Sequence, residues 1–144
     1  MPGTSSLQDI LTAFKTILDS AGLSVEVYEE VPYEGAEQRS VVLTPVAGHT
    51  ARPALGLRIS STTRALEEHC TLQVSCFFDD QPNCRALVDK VNQALFDHID
   101  DLEDVYDIHN LRRTLGPISG PVPPGVRESH MLMDFEFHTY RAVT

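Results

Sequence analysis

The apolar positions of this chain follow two periods in turn, and the changes between them mark out its elements. From Leu7 to Ala21 they recur every three or four residues. Leu7, Ile10, Leu11, Phe14, Ile17, Leu18 and Ala21 share one stripe, with Gln8, Asp9, Lys15 and Asp19 off it. That spacing predicts an amphipathic helix with one face to bury. Ser6 followed three residues later by Asp9 resembles a capping box, and Gly22 is free to take the left-handed conformation that closes a helix.

From Leu23 to Phe78 the period is two. Leu23, Val25 and Val27 alternate, Pro32 and Gly35 bracket a turn, and Ser40 to Thr44 (SVVLT) makes a second strand that Pro45 ends. Leu55, Leu57 and Ile59 alternate in a third. The fourth is long: Cys70, Leu72, Val74, Cys76 and Phe78 point one way, and His69, Thr71, Gln73 and Ser75 the other. An antiparallel meander with one wet face accounts for this pattern.

After Phe78 the period returns to 3.6. Asp79 and Asp80 are cap candidates and Pro82 suits a first helical turn. Cys84, Leu87, Val88, Val91, Ala94 and Leu95 then form an apolar stripe that carries the second helix to about His98 or Ile99. Val105 to about Leu111 reads as a fifth strand, and Met131, Met133, Phe135 and Phe137 alternate in a last one. Residues 45–53 and 60–67 read as connections. The segment 116–125 (GPISGPVPPG) holds three Gly and four Pro, which argues against helix or central strand and for a long loop. Such a loop takes its order from a partner, so it is expected to be mobile in the free subunit and ordered against a neighbour.

These elements specify an α+β fold in a single domain spanning 1–144: a largely antiparallel sheet of five to six strands with two amphipathic helices packed on it. A chain of 144 residues has room for one such core. No apolar run reaches the ~18 residues of a membrane span, and the N-terminus lacks the basic start of a secretory signal, so the sequence reads as a soluble protein made in the cytoplasm, with no membrane partner.

Charge narrows the function. The formal net charge is −10, from 21 acidic against 11 basic residues, a balance that repels nucleic acid and anionic lipid. Only Lys15 and Lys90 are lysines, a composition that suits a salt-rich cytoplasm and that high-GC coding also produces. Cys70 and Cys76, six apart in one strand, are separated by roughly 20 Å at strand rise and cannot bridge. Together with Cys84 they read as small buried hydrophobes in a reducing compartment.

Catalytic chemistry is not indicated. HExxH, GxSxG, a Gly-rich phosphate loop and a CxxC pair are all absent from the sequence. His130 and His138, on one side of the last strand, stand roughly 26 Å apart by strand rise, too far to share a metal. His69 and His98 have no partner at ligand spacing. The expectation is a protein that is not an enzyme and holds no cofactor or metal.

An acidic cluster stands out: Asp97, Asp100, Asp101, Glu103, Asp104 and Asp107, beginning where the second helix ends and its dipole disfavours negative charge. It reads as a solvated edge, as a subunit-facing or channel-facing patch, or as a divalent-ion site, though DHIDDLEDVYDI lacks the EF-hand pattern. Arg112 and Arg113 follow at the predicted strand end. Guanidinium forks there suit either solvent or a neighbour's carboxylates. The candidate assembly residues are thus Asp100, Asp101, Asp104, Arg112, Arg113 and, in the proline-rich segment, Ile118, Val122, Pro123 and Pro124.

The order of elements, carried by LQDILTAFKTILDSAGL, the strands around RSVVLTP and HCTLQVSCFFDD, the helix CRALVDKVNQALFDHI and the closing strand HMLMDFEFHTY, resembles the tail terminator, or tail completion, proteins of long-tailed phages and related archaeal viruses. The resemblance covers nearly the whole chain and rests on layout, not on a fixed motif. It implies a structural virion protein, assembled in the host cytoplasm. Such a protein forms a hexameric ring, caps the tail tube, meets the tube protein on one side and the head–tail connector or neck on the other, and lets DNA pass without binding it. Two other readings stay open at this stage: a neck or head–tail adaptor protein, and a small-molecule-binding α+β domain.

Overall fold

The computed structural model of the protein describes residues 7–29, 39–45, 50–58, 64–120 and 129–143, with side chains at 9–29, 39–45, 68–120 and 129–139. In chain order the elements are α1 (Leu7–Asp19), β1 (Glu26–Glu29), β2 (Ser40–Pro45), β3 (Thr50–Arg58), β4 (Arg64–Phe78), α2 (Gln81–Asp97), α3 (Ile99–Asp104), β5 (Ile108–Ser119) and β6 (Ser129–Val143). The strands make one six-stranded sheet in the order β1-β2-β4-β6-β5, with β3 beside the first half of β4.

The sheet is organised by β4 and β6, which pair antiparallel along all fifteen residues of each, from Arg64 opposite Val143 to Phe78 opposite Ser129. Alternation then sorts their side chains. Leu72, Val74 and Cys76 of β4 and Met133, Phe135 and Phe137 of β6 are buried on one face, beside Val41 and Leu43 of β2. Both long helices cover that face. α1 buries Ile10, Leu11, Phe14, Ile17 and Leu18, and α2 buries the full predicted stripe from Cys84 to Leu95. The Phe14 ring lies 5.3 Å from that of Phe137, and Phe96 lies 6.1 Å from Phe135, so each helix is anchored by a ring on β6.

Local signals act as read at the helix ends. The Asp80 carboxylate accepts from the Asn83 backbone N–H at 2.8 Å, with Pro82 in the first turn. Gly22 closes α1 at φ +69°, and Ser6 lies outside the described residues. Arg39, at the start of β2, donates through Nε to Asp79 at 2.9 Å and lies 4.9 Å over the Phe78 ring, fastening β2 to the turn before α2. The hydrogen bond from Arg39 and its charge hold the Asp79 carboxyl below the usual range.

Several expectations need correcting. β1 pairs parallel with β2, Glu26 opposite Ser40, so the first strands are not an antiparallel meander. β3 begins at Thr50 and β4 at Arg64, inside segments read as connections, because the partner strand supplies hydrogen bonds that polar side chains do not forbid. Val105 caps a short helix, α3, and the fifth strand starts later and runs to Ser119. Residues 116–119, read as loop from their Gly and Pro content, are therefore strand. The sheet accepts them because β5 is an edge, where a missing N–H does not break an inner ladder.

All three cysteines are buried and unbridged, and the Cys84 thiol donates to the Cys76 carbonyl at 3.3 Å. Burial, helped by Glu68, pushes the Cys70 thiol up to about 11, and burial pushes Cys76 higher still. In the native chain iodoacetamide should label none of the three at neutral pH, and denaturant should release them together. Because these folded values lie above the ordinary 9.0, their contribution to stability is complete below that pH and falls as pH rises through about 11 for Cys70. Phe14 and Phe135 are fully buried, so Phe14→Ala or Phe135→Ala should each lower unfolding free energy by about 3–5 kcal/mol in a denaturant titration. A shift below about 1 kcal/mol would contradict the packing described.

Candidate assembly surface

β5 closes one end of the sheet, hydrogen-bonded on one side to β6 only. Its register to β6 slips three times, between His109 and Arg112, Arg113 and Leu115, and Leu115 and Ile118. The backbone takes positive φ at Asp107 (58°), Asn110 (55°) and Gly116 (84°). These slips interrupt the regular β5–β6 ladder. Among the described residues the exposed large hydrophobic side chains are Val105 (65 %), Leu115 (42 %) and Ile118 (45 %), all on β5 or its approach.

The structure divides the predicted site. Arg112 and Arg113 lie within β5, not at its end, and take opposite faces. Arg112 donates to Glu136 of β6 at 3.0 Å on the face away from the helices, and Arg113 donates to Asn92 of α2 at 3.1 Å. Ile118 lies on the same strand, opposite Leu132. Asp100, Asp101 and Asp104 are exposed on α3, which packs against β5, so acids and arginines share one end of the sheet. Asp100 and Asp101 occupy the first turn of α3, where the helix dipole favours them, which removes the penalty expected at the end of α2. Asp101 meets His98 at 3.1 Å. Val122, Pro123 and Pro124 lie outside the described residues.

Strand register brings together a group that spacing along the chain could not reveal. His69, His138 and His109 stand directly opposite one another on β4, β6 and β5. Their rings form a row, His69 to His138 at 5.4 Å and His138 to His109 at 6.1 Å. His109 Nε2 lies 2.5 Å from Asp107 Oδ1, and His138 Nε2 lies 3.2 Å from Asn110 Nδ2. Among the described residues no group of three or more His, Cys, Asp or Glu is arranged to hold a metal ion. Near the other end of the sheet His130 stacks on Phe77, ring centroids 4.2 Å apart, with Gly120 over it. Among the described residues no helix is long and apolar enough to cross a membrane.

No family model matches the sequence, and no curated protein does. The fold is shared with a chain from the virion of a native gene transfer agent particle, at a TM-score of 0.56 and 16% sequence identity, over 91% of this chain and 94% of that one. The likeness is therefore one of whole-domain architecture, with little sequence held in common.

At Gly116 the positive φ and a collision between any Cβ and the Leu132 carbonyl oxygen coincide. Gly116→Ala should cost about 1–3 kcal/mol for the backbone alone. It should also lower hydrogen-exchange protection in β5 while leaving α1 and α2 unchanged. Unaltered protection in β5 would mean that the edge tolerates the side chain.

Proposed function

We propose that this chain is a structural virion protein that forms a hexameric ring on the end of a tail tube, stops tube growth and joins the tail to the head–tail connector. The observation that carries the reading is the fold shared over nearly the full length with a chain of a gene transfer agent virion particle. The sheet edge described above supports it, because a small domain that leaves apolar side chains and arginines along an open strand has a surface suited to another subunit.

Charge fits the same role. At −10 per copy, six copies carry −60, and a ring with that field lets DNA slide past because phosphates are repelled. No specific DNA contact is required, and no catalytic step. The partners of this reading are further copies of the chain, the tube protein and the connector or neck.

Disrupting the gene tests it. Particles assembled without the chain should have tubes that overrun their normal length and stay unattached to heads, and supplying the protein should restore both. Tubes of normal length with unattached heads would favour a neck or adaptor role instead. Normal, infective particles without the chain would overturn the proposal.

A further inference from the structure

The two edge strands of the sheet path carry opposite charge. β1, EVYE, holds Glu26 and Glu29 and no basic residue. β5, IHNLRRTLGPIS, holds Arg112 and Arg113 and no acidic one, in a chain whose overall balance is −10. These strands are the first and last of the order β1-β2-β4-β6-β5, so they lie on opposite sides of the subunit. They also run in opposite directions, since β1 is parallel to β2 and each later step along the path is antiparallel.

We propose that β5 of one copy pairs antiparallel with β1 of a second copy, joining subunits head to tail through their sheets. This specifies the surface used by the ring reading above and rests on that reading. Arg112 has a 72 % exposed side chain, and its bond to Glu136 uses one of five N–H donors, leaving a fork for a neighbour's carboxylate. Glu26 is exposed and lies on the same face as Arg112, away from the helices, because Val27 beside it points into the core. With Glu26 opposite Arg112, the four residues of β1 would run antiparallel along the His109–Arg112 half of β5 and satisfy backbone groups there.

Charge also decides between arrangements. Two β5 edges meeting across a two-fold axis would set arginine against arginine, which cross-strand pairing penalises. A neighbour placed by rotation about an axis along the strands keeps its strand directions, so its β1 meets β5 antiparallel. The contact is then heterologous and propagates until a ring closes. The acids of α3 lie on the helix-covered face, where Leu102 joins the core, whereas Arg112 lies on the opposite face of the sheet with Glu136.

Charge reversal and its repair make the test, read by native mass spectrometry of the full chain. The unaltered protein should give closed oligomers larger than a dimer. R112E alone and E26R alone should each shift the population to monomer with unchanged far-ultraviolet circular dichroism, and the double variant R112E/E26R should restore the oligomer. Single reversals without effect, a double variant that stays monomeric, or an unaltered chain that is monomeric or stops at a dimer would overturn the edge pairing. Any of these found together with the chain in purified tails would leave the virion role standing. Edge-paired oligomers of a chain absent from particles would leave the pairing and remove the role.

Discussion

The pairing of β4 with β6 fixes where everything else goes. Fifteen residues of each strand are locked in one register, and a slip of one would turn Leu72, Val74, Phe135 and Phe137 away from the helices. The ladder therefore has a single register compatible with burial. It offers one flank to β2 and β3 and the other to β5, and its apolar face takes both long helices. The histidine row and the Arg112–Glu136 pair are by-products of the same register, since neither exists until β6 is set between its neighbours.

Where burial dictates spacing, the sequence was legible. The stripes of α1 and α2 and the alternation in β4 and β6 appear in the structure because each reports a face turned to the core, and the Asp80 cap appears because it satisfies a free backbone N–H at the start of α2. Pairing partners were not legible. The parallel β1–β2 contact depends on chain path, and the four residues of β1 carry no mark of direction. The length of β5 is hidden in the sequence for a related reason: Gly116 and Pro117 disfavour a central strand, but β5 is an edge, where bulges and proline are tolerated.

The candidate site divides along the same line. Arg112, Arg113 and Ile118 could be singled out from residue type and position, and they do lie on an exposed edge. What they face could not be read, because Glu136 and Asn92 are distant in sequence and reach the arginines only through the β5–β6 ladder and the packing of α2. The acids of α3 were visible as a cluster, whereas their position beside the arginines was not.

An edge strand that carries arginines and slips in register at one end of a sheet, and an acidic edge strand at the other, give the chain two unlike edges. Such a subunit builds rings or filaments more readily than two-fold dimers. A density map of the intact particle tests this most directly. This chain should appear as a six-membered ring between the tube end and the neck, with β5 of each copy alongside β1 of the next. A chain located elsewhere in the particle, or a ring in which β5 and β1 both face solvent, would contradict it.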